Sequence, residues 1–221
     1  MKISILLPYK ENYSPTYPGA VSLFIKSITS ISAFKKSITI YGSTNHKKKL
    51  SNNYVNISLK KEILRSQSKK YVQKFLEIQE KDKPDIIEIH NRPIYVNKLV
   101  KLKSHIVLYF HNDPISMIGS KTVSERINLL QTCSKVIFNS EWSKKQFLRD
   151  MKNFYHKSKK LEVIHQSINK TKVNLNKKKK QITFVGKLNS AKGYDIFGEA
   201  IIKILNKHPT WKSVVIGDEP R

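Results

Sequence analysis

The sequence predicts an α/β protein built on a doubly wound parallel sheet. Short apolar runs alternate with segments of helical period along residues 1–166, the pattern of repeated βαβ units whose sheet is covered on both faces. The alternation breaks at a lysine-rich stretch and then restarts, so a second unit of the same kind begins near residue 181. A hydrophobic fraction of 39% in 221 residues, 10% of them aromatic, suffices for a buried core and excludes wholesale disorder.

In chain order, Ile3–Pro8 reads as a buried strand, and Val21, Phe24, Ile28 and Ile31 fall on one helical face. Ser37–Tyr41 is a second strand. Leu64, Tyr71, Val72, Phe75, Leu76 and Ile78 give an amphipathic helix that ends before Pro84. Asp85–His90 is a strand, and Pro93 opens a helix through Leu102. Ile106–His111 is a strand, Val123–Thr132 a helix capped near Thr122 or Ser124, and Val136–Asn139 a strand. Ser140 or Ser143 caps a helix carrying Phe147, Leu148, Met151, Phe154 and Tyr155, and Leu161–His165 is a strand. These six strands make one Rossmann-like domain over residues 1–166. Residues 167–180, with Lys170, Lys172 and Lys177–Lys180, read as a basic linker. Ile182–Val185, Ile196–Leu205 and Ser213–Ile216 then form the first βαβ unit of a second Rossmann-like domain over 181–221. Two strands and one helix cannot bury both faces of a parallel sheet, so the expectation is an incomplete C-terminal domain, either a fragment of a longer enzyme or a truncated form.

The charge is lopsided: 42 Lys+Arg against 16 Asp+Glu, a net +26, with only five arginines. Of this, +24 lies in residues 1–180 (36 basic, 12 acidic) and +2 in 181–221 (6 and 4). An AT-rich coding bias favours Lys, Ile and Asn together and produces part of it. The remainder points to an anionic partner, a membrane surface or nucleic acid. Cys133 alone excludes an intrachain disulfide and a cysteine cluster for zinc. The apolar start is too short for a signal-peptide core, and no run approaches the roughly 18 apolar residues of a membrane span. The expected location is cytoplasmic, with peripheral attachment to the inner face of the membrane open.

In an open parallel sheet, ligands bind beyond the carboxyl ends of the strands. Polar residues cluster there: Tyr9, Lys10 and a loop to Pro18-Gly19 after the first strand, His90-Asn91-Arg92-Pro93, His111-Asn112-Asp113-Pro114, Asn139-Ser140-Glu141, and, in the second unit, Gly186-Lys187 and Lys192-Gly193. No G-x-G-x-x-G, P-loop or G-x-S-x-G pattern is present, which disfavours dinucleotide-dependent dehydrogenases, P-loop phosphohydrolases and α/β-hydrolases.

The run Phe184-Val185-Gly186-Lys187-Leu188-Asn189-Ser190-Ala191-Lys192-Gly193-Tyr194-Asp195 resembles the start of the C-terminal domain of GT-B fold retaining glycosyltransferases of the group 1, glycogen-synthase-like class. His208-Pro209 followed by Val214–Pro220 resembles a later segment of that domain. Ile86–Pro93, Tyr109–Asp113 and Val136–Trp142 are similar to its N-terminal domain. The resemblance implies transfer of a sugar from a nucleoside-diphosphate sugar to a glycan or lipid-linked acceptor, as in lipopolysaccharide or envelope polysaccharide synthesis, with retention and without a metal or other cofactor. It implies that Lys187 and Lys192, beside Gly186, offset charge developing on the donor diphosphate. Lys187 stands where the family usually has arginine and lacks its bidentate fork. Gly19 corresponds to a glycine loop near the donor phosphate or the acceptor, with Pro18 in place of a preceding glycine. His111 matches the cleft histidine that contacts the transferred sugar or orients the acceptor hydroxyl. His90, Arg92 and Asp113 are acceptor-side candidates.

Each residue also has a plainer reading. The lysines are solvated, Gly19 makes a turn, His111 is a satisfied strand-end histidine, Arg92 pairs with Glu88 or Asp113, and Asp113 and Glu141 cap helices. Two other functions stay open: a basic α/β module for nucleic acid, for which no RNA-binding motif is visible, and a non-catalytic remnant that binds only an acceptor or partner. The resemblance disfavours a specific nucleic-acid partner. It makes a cationic N-terminal domain a candidate for docking on anionic lipid.

Overall fold

A computed structural model of the chain describes residues 1–59, 66–156, 158–167, 170, 172 and 174–218. The chain divides into two compact units, Met1–Ile168 and Asn169–Arg221. The first contains β1 (Ile3–Leu6), α1 (Ala20–Ile31), β2 (Ile38–Gly42), β3 (Tyr54–Asn56), α2 (Gln67–Asp82), β4 (Ile86–His90), α3 (Val96–Leu99), β5 (His105–Phe110), α4 (Val123–Thr132), β6 (Lys135–Phe138), α5 (Glu141–Leu148), α6 (Asn153–His156) and β7 (Leu161–Val163). All seven strands are parallel, in the order β3-β2-β1-β4-β5-β6-β7. This is the Rossmann-like, doubly wound sheet expected from the sequence. The winding reverses between β1 and β4, which makes the carboxyl ends of those strands the topological switch point.

Strand alternation sends successive side chains to opposite faces. Leu6, Ile87, Ile89, Leu108, Phe110 and Phe138 pack with Phe75, Leu129 and Phe147 from the helices on one face. Ile5, Leu7, Ile38 and Ile40 pack with Val21 and Ile25 of α1 on the other. α4 starts on a capping box in which Thr122 Oγ1 accepts from Glu125 N and Glu125 Oε2 accepts from Thr122 N. Arg126, almost fully buried, ties that helix to its surroundings by donating to the carbonyls of Lys121 and Arg149 at 2.7 Å each.

Several boundaries differ from the sequence reading for identifiable reasons. The buried face of α1 is Val21, Ser22, Ile25 and Thr29, while Ile31 is 85% exposed. Thr29 Oγ1 satisfies itself on the Ile25 carbonyl at 2.7 Å, so a polar residue can occupy the inner stripe. The seventh strand, β3, is a three-residue edge strand ending in Asn56, too short and polar to stand out. Pro93 opens a 3-10 turn, Pro93–Tyr95, and α3 adds one turn, ending before Leu102. α5 stops at Leu148 because Asp150 adopts a left-handed conformation (φ 64°), which breaks the expected continuation through Met151. Leu64 of the expected amphipathic helix lies outside the described residues, as do Glu219 and Pro220 of the second resembling segment.

The second unit contains β8 (Gln181–Val185), α7 (Tyr194–Lys207) and β9 (Lys212–Ile216), with β8 and β9 parallel. Gly217 follows β9 so closely beside the other strand end that a Cβ there would lie 1.9 Å from the Gly186 carbonyl oxygen. No helix among the described residues is long and apolar enough to cross a membrane.

Candidate functional site

The carboxyl ends of β4 and β5 place a row of polar side chains on the α1 face of the sheet. Glu88 and His90 are two residues apart on β4. Tyr109 pairs in register with His90, and His111 lies two residues beyond Tyr109 on the same face. One pleat therefore lines up Glu88, His90 and His111 inside an otherwise apolar layer. His111 Nε2 is 2.8 Å from His90 Nδ1, and Gln166 Nε2 is 2.5 Å from His111 Nδ1. Gln166 donates to Nδ1, so the His111 proton sits on Nε2 and is donated to His90. The other His90 nitrogen, Nε2, faces Glu88. Glu88 Oε1 lies 2.7 Å from this atom but off its N–H direction, an electrostatic contact rather than an aligned hydrogen bond.

Aromatic rings wall this row. Tyr109 stacks on His111 at 4.4 Å between centroids and on His90 at 5.5 Å. Phe24 of α1 meets His111 edge-on at 5.1 Å. Burial, reinforced by the neighbouring His90, lowers the His111 imidazole to about 3, so it is neutral at physiological pH. The Tyr109 phenol is pushed up to about 12 by burial and then by Glu88, and it donates to the Ile164 carbonyl at 2.6 Å. The backbone of His111 is clamped as well. Its N–H donates to Asn91 Oδ1 at 2.7 Å and its carbonyl accepts from Asn139 Nδ2 at 2.8 Å. Asn91 reaches this position through a left-handed backbone (φ 51°), which asparagine tolerates better than most residues.

A cleft of about 340 Å³ opens beside His111 at the switch point, with Pro8, Glu11, Asn91, Arg92 and Gln166 among its walls. Arg92 Nη1 donates to the Asn91 carbonyl at 2.7 Å, and among the described residues no carboxylate pairs with it. Glu88, offered above as its partner, faces His90 instead. Asp113, the other, caps the turn Pro114–Ser116 by accepting from Ile115 N at 3.2 Å. Gly19 precedes α1, and the close approach it allows is made by the chain itself. A Cβ there would lie 1.9 Å from Glu11 Oε1, which accepts from Ser22 N at 3.0 Å at the start of the helix. The first turn of α1 is thus already answered by a carboxylate.

His90, His111 and Arg92 gather at one edge of the first unit, and Gly19 packs against Glu11, which lines the cleft there; Asp113 is turned to its local cap. In the second unit, Lys187 and Lys192 are exposed beside Gly186. Asn189 caps the turn Ser190–Lys192, accepting from Lys192 N at 3.2 Å, and Gly193 supplies the left-handed residue (φ 70°) that turns the chain into α7.

Sequence reasoning missed Glu11 and Gln166, and it offered Glu88 only as a partner for Arg92, not beside His90. A period-two pattern within β4, Glu88 then His90, was the available signal for Glu88. Glu11 and Gln166 lie in loops whose paths no periodicity reveals.

The sequence matches no family model and no curated protein. Solved structures do match in fold. A structure of Anabaena HepE in complex with UDP-glucose aligns with a TM-score of 0.64 at 14% identity, covering 99% of this chain and 61% of that one. The S. aureus MnaA–UDP co-structure aligns at 0.57 and 13%, covering 97% and 62%. UDP-GlcNAc 2-epimerase from Neisseria meningitidis, bound to UDP-GlcNAc, aligns at 0.57 and 14%, covering 97% and 65%. The chain spans about three fifths of their lengths. It shares their α/β fold, and all three were crystallised with UDP or a UDP-sugar.

Proposed function

We propose that this chain belongs to a GT-B glycosyltransferase that moves a sugar from a nucleoside-diphosphate sugar to a glycan or lipid-linked acceptor. The observation that carries the reading is the hydrogen-bonded row Gln166–His111–His90 beside Glu88, opening at the switch point of a fold shared with UDP-sugar complexes. A sugar hydroxyl that displaces the Gln166 amide donates to His111 Nδ1. His90 holds the opposite nitrogen, so the ring cannot turn away. With its basicity lowered by burial, His111 orients a hydroxyl rather than removing a proton from carbon. As the bond from the anomeric carbon to the diphosphate oxygen breaks, negative charge collects on the leaving diphosphate. Lys187 and Lys192 supply the opposing charge, and Gly186 leaves room at the strand end. Arg92 faces the acceptor. Retention, metal independence and a role in envelope polysaccharide synthesis follow from the resemblance noted in the sequence.

Epimerisation is the second reading, because UDP-GlcNAc 2-epimerases share the fold. It requires a base at C2; burial makes His111 a weak one, so the role would fall to Glu11, the carboxylate on the same cleft. The test is incubation with UDP-glucose and UDP-GlcNAc in D2O, with and without candidate acceptors. Transfer releases UDP and leaves the C2 hydrogen in place; deuterium entering C2 overturns it in favour of epimerisation. His111→Ala should lower kcat/KM about 100-fold, the scale of a positioned polar group. Unchanged turnover removes His111 from the mechanism.

A further inference from the structure

A second cavity, of about 470 Å³, has Arg92 in its wall and is not lined by His111. Its walls are chiefly apolar, including Ile94, Met117 and Ile118, and Lys69, Lys98 and Arg92 surround them. Among the described residues no carboxylate lines it, and neither lysine has an acidic partner. Ile94 is 44% exposed and Ile118 66%, so two large aliphatic side chains face solvent beside three cations. The two apolar segments are locked together. Gly119 takes φ 95°, and a Cβ there would lie 2.6 Å from Ile94 N, so only glycine lets the 117–119 loop close on the start of the 3-10 turn. Asn91 and Arg92 form walls of both cavities, so this one adjoins the His111 cleft.

A nucleoside would need convergent donors and acceptors for its base. The neutral polar side chains on its walls are Ser66, Ser68, Asn91, Tyr95 and Ser116, and several are engaged already: Asn91 on the His111 backbone, Ser116 on the Asp113 carbonyl, and Ser68 with Tyr95. An apolar wall with exposed aliphatics, beside cations that have no acidic partner among the described residues, matches a long-chain alcohol esterified to phosphate. We propose that this groove binds a phosphate-bearing lipid as an individual molecule, its chain on Ile94, Met117 and Ile118 and its phosphate at Arg92, Lys69 and Lys98. Its headgroup then points toward His111 as the acceptor. The acceptor assignment rests on the transferase reading; the binding itself does not.

The chain has three methionines, Met1, Met117 and Met151, and Met117 lines the groove. Methionine-methyl NMR of the full chain therefore reads the site directly, with Met117→Leu assigning its signal. Dodecyl phosphate, kept below its micelle concentration, should shift the Met117 methyl saturably while Met151, buried elsewhere, stays put. Dodecanol should bind at least tenfold more weakly, and dodecyltrimethylammonium should not compete. Lys98→Gln and Ile118→Ser, both away from the core, should each weaken dodecyl phosphate about tenfold. Absence of a saturable Met117 shift, an equal response to the cationic detergent, or an equal response to UDP or inorganic phosphate alone overturns the proposal. UDP-glucose binding is measured on the same sample. A Met117 response without UDP-glucose binding sinks the transferase reading and keeps the lipid site. The reverse sinks the lipid site alone.

Discussion

The two units treat the same kind of sequence in opposite ways. In the first, apolar strands are covered on both faces, and the polar residues that enter the sheet face one another: His111 hydrogen-bonds His90 and Gln166, and Glu88 sits against His90. In the second, β8 and β9 are just as apolar, yet Val185 is 73% exposed and Ile216 55%, and Ile201 is the one buried hydrophobic among its described residues. The cations differ too. Arg126 in the first unit is buried on carbonyls, whereas Lys187, just past β8, and Lys192, in the turn before α7, are exposed. Burial converts a polar group into a structural commitment, because each donor or acceptor must then be matched. An exposed lysine carries no such obligation and can take a ligand.

The largest expected effect separates the two sheets. Phe110→Ala, in the fully buried stack with Phe138 and Phe147, should destabilise the first unit by about 3–5 kcal/mol in urea unfolding. Val185→Ala should stay within about 0.5 kcal/mol. Similar losses in both would mean the second sheet is covered in solution.

Next in size is Gly19→Ala, whose methyl meets the Glu11 carboxylate and should cost about 1–3 kcal/mol. Adding Glu11→Ala should return much of the loss, a coupling that a plain turn glycine would not show.

A pH effect follows from His111. Its folded value, about 3, lies below the ordinary 6.5, so as pH falls the unfolded chain takes up the proton first. The associated stability is present above about 6.5 and drains away toward 3, by at most about 1.4 kcal/mol per pH unit. Unfolding midpoints at pH 7, 5.5 and 4.5 should decline, and His111→Asn should flatten that decline; an equal decline in both assigns it to carboxylates.

The smallest effect has the opposite sign. Gly198→Ala, inside α7 with no atom near the added methyl, should stabilise the second unit by about 0.5–1 kcal/mol. A loss there would reveal a surface packed on that helix face.

Sequence alone determined the parallel α/β class, most strand positions and the edge of the sheet where polar residues gather. Those depend on local apolar runs, on Pro and Gly punctuation, and on the rule that parallel strands present their carboxyl ends together. It named His90, His111 and Arg92, because each lies at or just past the carboxyl end of an apolar strand. It left Arg92 with Glu88 or Asp113 as partner, and only the tertiary structure turned Glu88 to His90 and Asp113 to its cap. Folding also brought Glu11 to the first turn of α1 and Gln166 onto His111, across 55 residues. Such pairings arise when loops cross a sheet edge, and their side chains are chosen by distance and burial rather than by any period along the chain. The sequence held the residues of the site; the pleat of β4 and β5 set them in a row.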